Sequence, residues 1–125
     1  MSDFYYRKLD AYNISKQFVI QVYQMLLRFP DYEKYALCDQ LRRSVISIPS
    51  NIAEGAGRRA IKERLHFYDI AYGSLTEALC QLEISKDLHY IDDEEFKAIE
   101  ATAIRISLTL IALKRSLENK NNKQQ

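Results

Sequence analysis

The sequence predicts an all-α fold, an antiparallel up-down-up-down bundle of four helices in a single domain. Apolar residues recur at spacings of three and four along four long stretches, which is the period of a helix with one buried face. The 125 residues include only three glycines and two prolines, whereas a β-sandwich or barrel of this length needs many turn residues. Connections of about three to six residues make successive helices antiparallel neighbours.

The first helix is predicted from about Leu9 to Phe29, where the following Pro30 disfavours further helix. It has two adjacent apolar stripes, formed by Leu9, Tyr12, Val19, Val22, Tyr23 and Leu26 and by Ile14, Phe18 and Met25. The second helix is predicted from Glu33 to Glu54. Pro49 lies inside it, and we expect a kink there, because proline lacks the N–H and its ring clashes with the preceding turn. Gly55 and Gly57 are expected to end the helix in left-handed or open conformations.

The third helix is predicted from about Ala60 to Leu88, with Gly73 allowing another helix to approach closely. Its apolar seam consists of Leu65, Tyr68, Tyr72, Leu75, Leu79 and Leu82. The fourth helix begins at Asp92 or Asp93, since acidic residues suit the positive end of a helix dipole. Its seam consists of Phe96, Ile99, Ala103, Ile106, Leu110, Leu113 and Leu117. The bundle domain is expected to cover residues 1–118, and residues 119–125 to form a disordered tail.

The fourth helix has a second apolar stripe, on a different side from its seam. The stripe consists of Ala101, Ile104, Leu108 and Ile111. One bundle cannot readily bury both sides of a helix, so the stripe predicts association between copies of the chain. The alternative is a central helix with a wide buried face.

One side of the second helix is polar, formed by Gln40, Arg43, Ser47, Asn51 and Glu54. A solvated face is one interpretation. A hydrogen-bonded network between helices or subunits is the other, with Arg43 paired to Glu54 or Glu77. We favour the network, because serine and asparagine are poor choices for a helix face that is merely solvated.

Basic residues cluster where the second helix connects to the third. Arg58, Arg59, Lys62 and Arg64 lie within seven residues, and Arg42 lies further up the second helix. The net charge of the chain is only +1, so any binding of RNA or DNA depends on this local patch. An ordinary charged surface is the alternative.

The remaining chemistry predicts neither an enzyme nor a cofactor. His66 and His89 have no metal-ligand spacing, and Cys38 and Cys80 lie far apart, so we expect no metal site and no disulfide. Arg59 and His66 loosely resemble the Arg-x(4–6)-His ribonuclease motif of the HEPN superfamily, the alternative that includes catalysis. No signal peptide or membrane span is expected, which makes the cytoplasm the predicted location.

The segment from Gln40 to Gly55, QLRRSVISIPSNIAEG, resembles the family of four-helix-bundle proteins encoded in intervening sequences of bacterial large-subunit rRNA genes. The similarity continues at Gly57-Arg58-Arg59, at Ala71–Glu77 and at Gln81-Leu82-Glu83. Tyr72 departs from the pattern, because many members have arginine at this position.

The resemblance implies an antiparallel bundle that assembles into a barrel-like homopentamer. The chain is also similar to the accessory variability determinant of diversity-generating retroelements, which binds nucleic acid and a reverse transcriptase. A homo-oligomer that binds nucleic acid is therefore the first functional hypothesis. A scaffold that recruits another protein is the second.

Overall fold

A computed structural model of the chain describes residues 4–124, with side chains described up to Asn122. Within this part of the chain there are four α-helices and no strands. The α-helices are α1 (Asp10–Leu26), α2 (Leu37–Ala56), α3 (Ile61–Asp87) and α4 (Asp93–Gln124). Short 3-10 helices cover Tyr5–Lys8 and Asp31–Glu33. The predicted all-α class is confirmed.

Contacts between helix ends establish the up-down-up-down topology. Arg28, two residues after α1 ends, forms an ion pair with Glu95 at the start of α4. Ser44 of α2 donates a hydrogen bond to Gln81 late in α3, at 2.9 Å. Late in α4, Lys114 forms an ion pair with Asp69 early in α3. Each helix packs against the next, and α4 packs back against α1, so the predicted antiparallel bundle is confirmed.

The core consists of the apolar stripes facing the bundle axis. The predicted seam of α4 is buried except at Leu113, which is half-buried. The stripe of α1 centred on Phe18 and Val22 is fully buried, whereas Tyr23 is 40% exposed. The axis-facing stripe of α1 therefore combines members of both predicted stripes.

The connection between α1 and α2 is longer than predicted. α2 begins at Leu37 rather than Glu33, since Glu33 belongs to the preceding 3-10 helix. The carboxylate of Glu33 accepts a hydrogen bond from the hydroxyl of Tyr90, at 2.8 Å. This contact holds the connection against the turn between α3 and α4, and sequence periodicity contains no sign of it.

The prediction that Gly55 ends α2 by a left-handed conformation is wrong. α2 continues through Gly55 to Ala56, and no described glycine has a positive φ. A Cβ atom at Gly55 would lie 2.9 Å from Tyr68 Cε1 and 2.9 Å from Phe67 Cβ. Gly55 therefore permits close contact between α2 and α3. α2 also continues across the buried Pro49, and the kink there stays a prediction.

The close approach predicted at Gly73 does not occur within the bundle. A Cβ atom there would have nothing within 4 Å, because Gly73 lies on the outer face of α3.

α3 ends in a left-handed residue, His89. Its φ of 66° is the only positive value among the described non-glycine residues. The N–H of Tyr90 bonds to the carbonyl of Ser85 at 2.9 Å, as in a Schellman motif.

α4 begins with a capping box, at the predicted position. The side chain of Asp92 accepts a hydrogen bond from the backbone N–H of Glu95 at 2.7 Å. The carboxylate of Glu95 in turn accepts one from the backbone N–H of Asp92 at 3.2 Å. Two N–H groups that the helix leaves unpaired are thus satisfied reciprocally.

α4 extends through most of the predicted tail and is helical to Gln124. Its last buried described side chain is Leu117, and Asn119 and Lys120 are exposed. Disorder of residues 119–125 and the domain boundary at residue 118 stay predictions, and Gln125 lies outside the described residues. None of the helices between residues 4 and 124 has the length and apolar character that crossing a bilayer requires. The cytoplasmic location also stays a prediction.

Candidate nucleic-acid interface

The small net charge of the chain conceals a separation of charge along the bundle. The basic end of the bundle, defined as residues 4–12, 53–70 and 112–122, contains nine basic and five acidic residues. The acidic end, defined as residues 22–43 and 80–102, contains six basic and ten acidic residues. Antiparallel packing brings these separate segments together, so the two ends have net charges of about +4 and −4 on this count.

Arg58 is a cation of the basic end with both an ion-pair partner and a ring contact. Its guanidinium forms an ion pair with Glu54 at 2.7 Å and lies 4.9 Å from the centroid of the Phe67 ring. One turn of α2 separates Glu54 from Arg58, and Phe67 approaches from α3. Arg58 is thereby held in one orientation at the helix end, with part of its charge compensated by Glu54.

The other predicted cations surround Arg58. Arg64 donates a hydrogen bond to the backbone carbonyl of Arg58 at 2.5 Å, which braces the turn between α2 and α3. Arg59 and Lys62 are exposed, and neither has an ion-pair partner among the described residues. Their charges are consequently available to an anion, while Arg58 and Arg64 give the turn its shape.

Arg42 lies apart from this cluster, contrary to its grouping with the patch in the sequence. It donates a hydrogen bond to the carbonyl of Lys34 at 2.8 Å, in the connection before α2. Sixteen residues of helix and turn separate it from Arg58, which corresponds to roughly 24 Å at 1.5 Å per residue. Arg42 therefore belongs to the acidic end of the bundle.

An aromatic turn on the basic end was not among the predicted site residues. Tyr5–Lys8 form the 3-10 helix that precedes α1. A cleft of about 420 Å³ separates this turn from the end of α2, and its lining includes Tyr5, Tyr6, Gly57 and Arg58. The adjacent aromatic and basic residues in Phe4-Tyr5-Tyr6-Arg7-Lys8 were the available signal, but only the fold brings them to Arg58.

A second cleft adjoins the first at Arg58. It is lined by Arg58, Lys62, Glu63, His66 and Phe67. Arg59 is not among these lining residues, so the two members of the ribonuclease-like pair do not share this cleft. In the described part of the chain, no three His, Cys, Asp or Glu side chains are grouped as a metal site would require.

Tyr68 lies beneath this surface and contributes packing. Its ring is only 1% exposed and fills the space left by Gly55. Burial raises the pKa of Tyr68 to about 12, an effect that Arg64 opposes and Tyr5 reinforces. The hydroxyl therefore stays neutral at physiological pH, on the side of the core nearest the basic end.

Hydrogen bonds connect part of the polar side of α2 to α3, and the chief predicted member among them is Ser47. The hydroxyls of Ser47 and Ser74 lie 2.8 Å apart. Asn51 donates to the carbonyl and hydroxyl oxygens of Ser47 at 2.7 and 2.9 Å. Gln81 donates to Glu77 at 3.2 Å and accepts from Ser44. This seam aligns the two helices whose connection contains the basic cluster.

The predicted pairing of Arg43 is wrong within the single chain. Arg43 is largely exposed and bonds to Asp39 at 3.1 Å, whereas Glu54 pairs with Arg58 and Glu77 with Gln81. The i,i+4 spacing makes Asp39 the nearest carboxylate to Arg43 on the same helix.

Apolar side chains remain exposed on the outer face of α4. Ile104 is 51% and Leu108 61% exposed, while Ile111 is half-buried and Ala101 exposed. The alternative of a wide-faced, fully covered α4 is therefore wrong for the single chain. Cys80 is an exposed free thiol on α3, whereas the free thiol of Cys38 is buried in the core.

Together these features define a class of protein: an antiparallel four-helix bundle with opposite charge at its two ends and uncovered apolar surface on an outer helix. The chain belongs to the 23S rRNA-intervening sequence protein family, whose model matches residues 7–112. The family suspected from the segment Gln40 to Gly55 is confirmed.

A crystal structure of a protein of unknown function from the S23 ribosomal protein family of Bacteroides thetaiotaomicron has the same fold. Its TM-score with this chain is 0.75 at 22% sequence identity, over 83% of this chain and 97% of that one. No curated protein matches the chain significantly. The family is described by gene location, and its description names no reaction.

Proposed function

We propose that this protein is a non-catalytic, homo-oligomeric nucleic-acid-binding protein whose ligand lies on the basic end of the bundle. The observation supporting this most directly is the placement of Arg59 and Lys62, exposed and without an ion-pair partner among the described residues. Neutralised phosphates release condensed counterions, so each available cation adds affinity that depends on salt. The family's connection with rRNA genes makes RNA the first ligand to test.

Self-association would increase the affinity for nucleic acid, because the basic end of a single chain provides few available cations. Exposed Ile104 and Leu108 provide an apolar contact surface, and a cyclic assembly would repeat the basic end once per subunit. Several weak sites on one ligand increase the overall affinity by raising effective concentration. Five subunits is the number that the family resemblance implies.

The test is filter binding of structured rRNA fragments and single-stranded RNA across a salt series, using the double variant Arg59→Glu with Lys62→Glu. We expect binding at ~100 mM salt to fall at least about tenfold, and the salt slope to decrease by ~0.7 to 0.9 for each phosphate that the variant no longer neutralises. Arg42→Glu with Arg43→Glu is the matched control, since it makes the same charge change at the acidic end of α2. Absence of binding by the native protein even at low salt, or equally weakened binding in both double variants, would contradict the proposal.

A protein-interaction scaffold is the second candidate, supported by the same exposed stripe of α4. It predicts one stoichiometric protein partner whose binding survives nuclease treatment and Arg59→Glu with Lys62→Glu. Failure of that partner to bind Ile104→Asp with Leu108→Asp would locate the interface on α4.

A further inference from the structure

We propose that the basic end of the bundle recognises unpaired nucleotides, with Tyr5 providing a surface on which a base stacks. This inference rests on the proposed nucleic-acid function and specifies the class of ligand. The juxtaposition that supports it is an exposed aromatic ring beside the cleft that Arg58 also lines.

The turn that contains Tyr5 is fixed to the bundle. Asn13 donates hydrogen bonds from its side-chain amide to the carbonyls of Arg7 and Leu9, at 3.0 and 3.2 Å. The ring of Tyr6 packs edge-on against that of Tyr12, with centroids 4.7 Å apart. The turn is therefore held to α1 by both backbone and ring contacts, and little order has to be acquired when a ligand binds.

The side chain of Tyr5 takes no part in these anchoring contacts. Its side chain is 52% exposed, and that of Phe4 beside it is 67% exposed. Exposed aromatic rings at a positively charged surface suit a strand with free bases, because each base presents a flat face for stacking. Bases inside a duplex are already stacked on their neighbours and cannot reach such a ring without being unpaired.

The cations around the cleft are arranged to hold the backbone of such a strand. Arg58 is stacked on Phe67 and presents its guanidinium between the two clefts. Lys8 on the N-terminal turn and Lys62 on α3 are both exposed, and Lys62 lines the second cleft with Arg58. Glu54, the carboxylate in the first cleft, is paired with Arg58 and so repels a phosphate less than a free carboxylate would.

Fluorescence anisotropy with labelled 15-nucleotide RNA and DNA single strands, and with a duplex of the same sequence, tests this inference. We expect both single strands to bind more tightly than the duplex at equal salt. Tyr5→Leu should weaken single-strand binding about tenfold and leave the salt slope and duplex binding unchanged, whereas Tyr5→Phe should restore affinity. Tyr35→Leu is the matched control, because Tyr35 is 84% exposed at the opposite end.

Photocrosslinking to an oligonucleotide containing 5-iodouracil locates the stacked ring directly. The crosslink should map to Phe4–Tyr6 and not to Tyr32 or Tyr35. A protein that binds the duplex as tightly and loses nothing in Tyr5→Leu overturns the single-strand inference while the nucleic-acid function stands. Failure to bind any oligonucleotide at low salt overturns the proposed function itself, in favour of the scaffold. If only the RNA or only the DNA single strand binds, that nucleic acid is the ligand that provides the unpaired bases.

Discussion

Gly55 shows how one missing side chain controls the spacing of two helices. A methyl group at this position would lie 3.2 Å from the backbone carbonyl oxygen of Arg64, in addition to its contacts with Phe67 and Tyr68. Backbone cannot move aside as the end of a long side chain can. The contact therefore explains why a residue that disfavours helix lies within α2.

Gly55→Ala is expected to lower the free energy of unfolding by about 1–3 kcal/mol, because overpacking outweighs the better helix propensity of alanine. Gly73→Ala is the matched control on α3, where nothing lies within 4 Å, and it should raise stability by up to ~1 kcal/mol. Urea denaturation of both variants measures the difference. Stabilisation of equal size in both would show that α2 and α3 do not approach closely at Gly55.

At His89 the backbone conformation, rather than the side chain, determines how a substitution changes stability. Its φ of 66° places it in the left-handed region, where a Cβ atom is strained and glycine is not. We expect His89→Gly to raise the free energy of unfolding by about 1 kcal/mol. Leu88→Gly provides the comparison, since Leu88 has an ordinary φ of −82° and should lose stability. Thermal unfolding of the two variants distinguishes these directions.

At the scale of elements, the start of α4 combines a capping box with an ion pair to the end of α1. Glu95 belongs to both, because it bonds to the backbone of Asp92 and to the guanidinium of Arg28. These hydrogen bonds lower the pKa of Glu95, the Arg28 bond most, although partial burial opposes the shift. The ionised carboxylate therefore stabilises the folded chain.

This lowered pKa has a defined consequence for stability against pH. The ionised carboxylate of Glu95 makes its full contribution to the free energy of unfolding at pH values well above the ordinary glutamate pKa of 4.5. This contribution is lost as pH falls through the lower pKa that Glu95 has in the folded chain. Glu95→Gln retains a residue that suits a capping box but removes the charge. We expect it to be less stable than the native chain at pH 7, by no more than about 1 kcal/mol because Arg28 is largely exposed, and the difference to shrink as pH falls towards 3. A stability difference that is unchanged between pH 7 and pH 3 would contradict the assignment.

At the scale of the whole molecule, the exposed stripe of α4 supports the proposed self-association. The charged ends lie at the two ends of the helix axes, while the stripe lies along the side of the bundle. Copies that join side by side could therefore present their basic ends on one surface. Heterologous contacts of this kind generate rings when the rotation between copies closes.

Sedimentation equilibrium at micromolar concentration tests the assembly. The native chain should sediment as a closed oligomer, and Ile104→Asp with Leu108→Asp should shift it towards the monomer, because each exposed aliphatic side chain contributes up to ~1.5–3 kcal/mol when buried in an interface. Leu27→Asp is the control, as Leu27 is 84% exposed but lies beyond the end of α1. A native chain that stays monomeric would refute the role of the stripe.

Local patterns were sufficient to predict most elements of this bundle. The periodic apolar seams of α3 and α4, the acidic start of α4 and the second stripe of α4 each depend on residues close together in the chain, where spacing translates directly into a helix face. The family followed from the segment between Gln40 and Gly55. The ends of helices were predicted less accurately where residues distant in the sequence determine them. Glu33, for example, was predicted to start α2 but lies in the connection before it, where it bonds to Tyr90.

The candidate interface depended on tertiary structure. The sequence placed Arg58, Arg59, Lys62 and Arg64 together because they are neighbours in the chain, and it wrongly added Arg42, which lies near the other end of the same helix. It did not predict that Tyr5 and Tyr6 reach the same end, since about fifty residues separate them from Arg58. Antiparallel packing alone decides which distant segments share an end of the bundle. A chain with a net charge of +1 thereby acquires one basic end and one acidic end.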